Sequence, residues 1–190
     1  MNEKKFDPRK LWKLNNPARL ADLPPALIWN RLKLEKPEVL VDLGAGTAFF
    51  SLAFLKHAPA ATIYACDIAD IMLDWIKEHV CPQHPEIIPV KMAERTVPLE
   101  DERADLVFMI NLHHELDDPQ AILAESRRIL KPKGKVAIID WKKEEMAEGP
   151  PVRIRRVPAE VREELRQAGF THLERFNELP KHFFLVGEKE

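Results

Sequence analysis

The stretch Val39-Leu40-Val41-Asp42-Leu43-Gly44-Ala45-Gly46-Thr47-Ala48 decides the fold. Val39 to Leu43 reads as a buried strand, and Thr47 to Ala58 reads as the helix that follows it. Between them stand two glycines, in a chain with only 6 glycines against 16 prolines. Average usage of about 7% would supply roughly twice as many. A chain this sparing with glycine has a backbone reason for such a pair.

The same alternation continues outward. Thr62 to Cys66 predicts a second strand, and Asp70 to His79 a helix with Asp70 as its N-cap. Ile87 to Lys91 and Asp105 to Ile110 predict the third and fourth strands. Pro119 to Leu130 predicts a helix capped by Asp118, with proline in its first turn. Lys135 to Asp140 predicts the fifth strand. Continuously apolar strands separated by helices imply a parallel sheet covered on both faces. Residues 1–36 read as an N-terminal helical extension, with helix starts at Asp7-Pro8 and Asn16-Pro17. Its apolar positions are Leu11, Trp12 and Leu14, then Ala26 to Leu34. Residues 141–158 are proline-rich and carry Arg153, Arg155 and Arg156. They read as a lid, together with Phe6 to Leu34. Ala159 to Ala168 predicts a helix stopped by Gly169. Thr171 to Leu179 and His182 to Glu188, joined by Pro180-Lys181, predict an antiparallel hairpin. The expected fold is α/β: a Rossmann-like, doubly wound, seven-stranded sheet in one domain spanning 1–190, with five parallel strands, a C-terminal antiparallel hairpin and helices on both faces.

Composition excludes several classes. Lys plus Arg total 29 and Asp plus Glu 31, a formal charge of −2. A phosphate-backbone binder usually carries a basic excess, so no nucleic-acid partner is expected. The charged start, Met1 to Lys10, has no apolar core of a signal peptide, and no apolar run approaches the ~20 residues of a membrane span. A cytoplasmic protein is expected, as monomer or homodimer. Cys66 and Cys81 are too few for a disulfide framework or a four-cysteine zinc site.

The glycine pair lies where a strand passes into a helix, at the carboxyl edge of the sheet, where open α/β folds bind ligands. Asp67 closes the second strand, 21 residues after Gly46. An acid there can accept hydrogen bonds from ribose hydroxyls. A dinucleotide fingerprint wants a third glycine at position 49, which is Phe49, and that argues against NAD and FAD. No GxxxxGK[ST] loop for ATP is present.

The chain resembles a class I S-adenosylmethionine-dependent methyltransferase of the methyltransferase type 11, ubiquinone/menaquinone-methyltransferase-like kind. The resemblance runs over residues 37–188. It is carried by VDLGAGTAFFSLAF, by ACDIAD, by the run KMAERTVPLEDERADLVFMINLHHELDDPQAILAESRRILKPKGKVAIIDW, and by RRVPAEVREELRQAGFTHLERF. It implies S-adenosylmethionine as cofactor. Asp42, Gly44, Ala45 and Gly46 would line the methionine moiety. Asp67 would bind the ribose and Ile68 would pack on the adenine. Asn111 and Leu112 would flank the sulfonium. This sequence departs from the family pattern at Ala48, where the third glycine of the turn falls, and at Met92, where an acid often ends the third strand. Adenine recognition would then rest on backbone groups at Ala93 and the side chain of Glu94. The family's KPGG turn reads Lys131-Pro132-Lys133-Gly134.

Methyl transfer from a sulfonium needs alignment and exclusion of water, and a general base only for a protonated acceptor. His113 and His114, just after the fourth strand, are the candidate bases, with at most one facing the pocket. A metal site from His113, His114 and Glu115 is not expected, because adjacent residues rarely converge on one ion. Trp12, Trp29 and Trp141 are the aromatics open to the lid, although Trp12 and Trp29 equally suit helix packing. The arginine cluster suits either an acidic substrate or a solvated basic run. The leading expectation is an enzyme that methylates a small molecule. The alternatives are a protein or peptide methyltransferase and a non-catalytic, cofactor-binding partner subunit.

Overall fold

The computed structural model describes residues 8–190; Phe6 and Asp7, expected in the lid and at the first helix start, lie outside the described residues. A 3-10 stretch, Pro8–Lys13, leads into two short helices, α1 (Arg19–Asp22) and α2 (Pro25–Leu32). The alternating region follows: β1 (Val39–Leu43), α3 (Phe49–Leu55), β2 (Thr62–Asp67), α4 (Asp70–His79), β3 (Ile87–Lys91), β4 (Ala104–Ile110), α5 (Pro119–Ile129) and β5 (Leu130–Trp141). α6 (Pro158–Gln167), β6 (Thr171–Phe176) and β7 (His182–Glu188) close it.

The described strands form one seven-stranded sheet in the order β3-β2-β1-β4-β5-β7-β6. β1 to β5 are parallel, while β7 runs antiparallel between β5 and β6. This is the expected fold. Alternate residues of each strand enter opposite cores, as the two-residue period of a strand requires. Leu40, Phe108 and Ile139 meet α2, α3 and α4 through Ile28, Phe54 and Ile76. Val41, Met109 and Ile138 meet α5 and α6 through Ile122, Leu123, Val161 and Leu165. No described helix is long and apolar enough to cross a membrane.

Several boundaries move, each for a local reason. α3 begins at Phe49, because Gly46 and Ala48 hold left-handed φ of 55° and 58° and delay the first helical turn. α4 is capped by Ala69; Asp70 is its first residue and pairs with Lys91 Nζ at 2.7 Å. Asp118 caps α5 as expected, accepting from the Ala121 N–H at 3.1 Å. α2 ends at Leu32, where Lys33 turns left-handed. β6 stops at Phe176, so a five-residue connection, residues 177–181, replaces the expected Pro180-Lys181 link. Trp29 packs against Phe54 and stacks on His57, whereas Trp12 is exposed.

β5 begins five residues earlier than expected, since the Lys131-Pro132-Lys133-Gly134 segment joins it as an irregular start. Lys133 sits there at φ 64°, exposed, with its N–H on the Lys189 carbonyl at 2.7 Å. Left-handed backbone costs a side-chain-bearing residue roughly 1–2 kcal/mol, and glycine's extra freedom in the unfolded chain gives back roughly 0.5–1 kcal/mol. Lys133→Gly therefore raises stability by about 0.5–1 kcal/mol, or about 1–4 °C in melting temperature. Scanning calorimetry checks this; an unchanged or lower value rejects strain at this turn.

Candidate functional site

The site is built on the turn between β1 and α3. Gly44 holds φ 67° and Gly46 φ 55°, a region that side-chain-bearing residues rarely occupy. The missing side chain at Gly44 is the space Leu112 uses: a Cβ built there would lie 2.6 Å from Leu112 Cδ1. The structure thus brings together two of the expected cofactor residues, one after β1 and one after β4. The Ala45 N–H is bonded to the Cys66 carbonyl at 3.0 Å, which ties the turn to β2.

Asp67 ties it more tightly. Its Oδ2 accepts from the Gly46 N–H at 2.9 Å, and its Oδ1 accepts from the Ala69 N–H at 2.8 Å. A carboxylate has about four acceptor sites, so both oxygens keep capacity for hydroxyl donors. Burial raises the Asp67 carboxyl above its ordinary range, while the backbone N–H groups act the other way. Ile68, next in chain, is 38% exposed, unusual for isoleucine and suited to a flat ligand. Beyond β3, Met92 is buried and its N–H reaches the Asp67 carbonyl. Ala93 and Glu94 are exposed beside it, but the Ala93 N–H is already committed to the Thr96 carbonyl.

Asp42 lies beneath the turn. Burial pushes its carboxyl up to about 7, against the Ser51 hydroxyl, which donates to it at 2.6 Å. At neutral pH it is therefore part protonated. Arg19 of α1 faces the same place, over the rings of Phe49 and Phe50, and burial lowers it to about 10. Leu14 Cδ1 would meet a Cβ at Gly46 at 2.9 Å, and Asn15 accepts from the Thr47 hydroxyl at 2.8 Å. The N-terminal segment thus covers the glycine turn through Leu14, Asn15 and Arg19.

After β4, Asn111 is left-handed at φ 61°, and its Oδ1 is buried without a partner. A buried acceptor with no donor is costly, and strain on a side-chain-bearing residue at a strand end is characteristic of ligand sites. The two histidines diverge, as expected. His113 is fully buried and its Nε2 meets Glu164 of α6 at 2.7 Å. His114 Nδ1 meets Asp140 Oδ1 at 2.7 Å, and its backbone N–H reaches Asp140 Oδ2 at 2.8 Å. Burial alone would lower His114, but the hydrogen bond and charge of Asp140 outweigh it and hold the imidazole above its ordinary value. An aspartate on Nδ1 fixes the ring, which leaves Nε2 to handle a proton.

The segment after β5 is held from within. Arg155 is buried and donates to the carbonyls of Lys142, Glu144, Glu148 and Pro150. Arg156 pairs with Glu164, beside His113. Arg155 is thus neither a substrate grip nor a solvated charge, but the internal brace of the expected lid. The sequence reading missed Asp140, Arg19 and Glu164. Asp140 had a usable signal, an acid ending an apolar strand like Asp67. Arg19 and Glu164 had none, since only tertiary packing brings them to the turn and to His113.

The chain belongs to the methyltransferase-domain family, whose profile matches residues 41–138, and its fold is that of the class I S-adenosylmethionine-dependent methyltransferases. It is similar to a solved SAM-dependent methyltransferase from Aquifex aeolicus: 31% identity, TM-score 0.91, covering 98% of this chain and 100% of that one. It is 32% identical over 112 residues to a malonyl-[acyl-carrier protein] O-methyltransferase of Methylococcus capsulatus, covering 59% of this chain and 40% of that protein. It is 30% identical over 115 residues to a demethylmenaquinone methyltransferase of Chlamydia pneumoniae, covering 59% and 49%. The chain therefore spans no more than about half the length of these curated relatives.

Proposed function

We propose that this protein transfers a methyl group from S-adenosylmethionine to a small-molecule acceptor. The observation that carries the reading is the 2.9 Å bond from the Gly46 N–H to Asp67 Oδ2. It welds a left-handed glycine turn to a strand-end acid, with Leu112 closing on the turn from the third side. When bound, the cofactor supplies an activated methyl group on its sulfonium. The residues present fit it. Asp67 has acceptor capacity for the ribose, and Ile68 offers an exposed apolar face to the adenine. Glu94 and Ala93 lie at the same end. The left-handed turn of Gly44, Ala45 and Gly46 would take the methionine moiety, with Leu112 and Leu14 packed at its two glycines. Asp42 and the unpartnered Asn111 Oδ1 are acceptors suited to its ammonium group. Where the acceptor starts protonated, His114 Nε2 takes the proton, with Asp140 stabilising the imidazolium. His113 positions the loop after β4 through Glu164.

A small acceptor is favoured by the cover. Lys181 in the β6–β7 connection pairs at 2.9 Å with both Asp22 of α1 and Glu148 of the lid, which joins three segments over the sheet edge. The two curated relatives are named for different acceptors, so the acceptor class is read from this chain's own residues.

Calorimetry with S-adenosylhomocysteine, S-adenosylmethionine and NAD tests the reading. A ligand at a hundredfold excess over its dissociation constant adds about 2.7 kcal/mol, or about 5–11 °C in melting temperature at this chain length. The expected result is that shift with both adenosyl ligands and none with NAD. Absence of heat and of thermal shift at millimolar S-adenosylhomocysteine rejects it. Transfer of the methyl group to a protein or peptide but to no small molecule would select the second reading.

A further inference from the structure

His182 is unlike the two histidines already described. It opens β7 and pairs across the sheet with Trp141, the last residue of β5, so it stands on the same carboxyl edge as Asn111 and Asp140. It is 1% exposed, and neither ring nitrogen has a hydrogen-bond partner. An imidazole always carries at least one N–H, so this is a buried donor left unmade beside a buried acceptor left unmade. Such groups are rare in native proteins and call for a ligand or ordered water. His113 and His114 each hold a carboxylate, whereas His182 holds nothing.

We propose that His182 recognises the methyl acceptor, by hydrogen bonding to a neutral hydroxyl group on it. The inference rests on the methyltransferase reading. The surroundings decide the class of ligand. Asp140 and Asp22 act on the ring from one sign, Arg19 and Lys181 from the other, so neither sign of ligand charge is favoured. Burial pushes the imidazole down to about 4, so the ring is neutral at physiological pH. A neutral ring presents one donor and one bare nitrogen. A hydroxyl both donates and accepts, so it satisfies the ring in either tautomer. A carboxylate can only accept, from the ring N–H, and an ammonium can only donate, to the bare nitrogen, so each satisfies one ring group at most and would be buried as an unpaired charge.

Trp141 and the lid pack over the ring. The Trp141 ring lies 4.3 Å from that of His182, tilted by 44°. Gly149 of the lid lies against the indole: a Cβ there would fall 2.8 Å from Trp141 Cε3. The clasp above it, Lys181 between Asp22 and Glu148, is made of solvated ion pairs, which are weak and open readily. Opening of this clasp is the route to His182 that the proposal requires.

The test uses three probes of one shape: 4-methylphenol, 4-methylbenzoate and 4-methylbenzylammonium. Each is titrated into the whole protein with and without saturating S-adenosylhomocysteine. Saturation-transfer NMR reads binding, and the ring 15N resonances of His182 and His57 report where it occurs. The phenol should bind saturably in the millimolar range open to so small a ligand, at least about tenfold more tightly than the two ions. It should shift the His182 nitrogens and leave those of His57 still. His182→Phe should weaken phenol binding about tenfold and keep S-adenosylhomocysteine affinity within about twofold. His182→Gln, whose amide also donates and accepts, should lose less. If His182→Phe does not fold, the 15N shifts in the parent protein decide alone. Phenol binding that leaves His182 unshifted, equal binding by the carboxylate, parental phenol affinity in His182→Phe, or no saturable phenol binding each overturns the proposal. Failure of S-adenosylhomocysteine to bind would remove the methyltransferase reading instead, and the phenol titration without it would still be read.

Discussion

Gly46→Val should lose S-adenosylhomocysteine affinity by more than about a hundredfold, roughly 2.7 kcal/mol, while the protein stays folded. Two costs fall at this residue. Its φ of 55° is a conformation a β-branched residue enters only with strain, roughly 1–2 kcal/mol or more. Its added Cβ would also meet Leu14 Cδ1 at 2.9 Å, the flexible end of a side chain in the N-terminal cover rather than the core. The expected fall in melting temperature is therefore modest, about 2–8 °C. The loss of affinity is larger, because the turn's N–H, bonded to Asp67 Oδ2, can no longer hold both the acid and the bare backbone in place. Adding Leu14→Ala to the variant separates the two effects. It should recover melting temperature by relieving the contact and leave affinity lost. A folded Gly46→Val protein that binds S-adenosylhomocysteine as the parent does would remove the glycine turn from the cofactor site.

The double variant matters because the sequence had left open what Gly46 is for. Close packing of strand on helix was the plain alternative. What approaches Gly46 is Leu14, from a segment that the sequence showed only as a short apolar face with Trp12. Trp12 itself is 68% exposed, so that face was misread. Reading succeeded where one local rule settles the matter. Apolar strands alternating with helices fixed the sheet, and a glycine pair followed by a strand-end acid placed Gly46 and Asp67, now seen bonded to each other. It failed where the cause exists only in the folded packing. Nothing near Arg155 says that its guanidinium will hold four carbonyls of its own segment. Nothing near Ala48 says that it will sit left-handed, at φ 58°. His182 shows the same limit. Its pattern position says only that a strand begins there, and its unpartnered nitrogens exist only once β7 has paired with β5.

Asp140→Ala should cost about 3–5 kcal/mol, or about 6–20 °C in melting temperature, the largest stability effect expected of any substitution at the sheet edge. The Asp140 carboxylate is fully buried, and it accepts from the His114 ring, the His114 N–H and the Trp141 N–H. Removing it leaves three donors, the two of His114 buried, without this acceptor. The penalty should also depend on pH, with a sign that follows from both partners. Burial would raise Asp140, but the bonds and charge of His114 hold it below its ordinary 3.8. Its contribution is therefore present above pH 3.8 and lost as pH falls through the lower folded value. His114 is held above 6.5, so its contribution is fully present below pH 6.5 and lost as pH rises through the higher folded value. The Asp140→Ala penalty is then greatest between about pH 4 and 6.5 and smaller at pH 9. It does not vanish there, because both backbone N–H bonds and the neutral ring's N–H still need the carboxylate. Urea denaturation of parent and variant at pH 5, 7 and 9 measures it. A penalty that is flat with pH would mean that the pair carries no charge, and that Asp140 fixes the His114 ring without making it a stronger base.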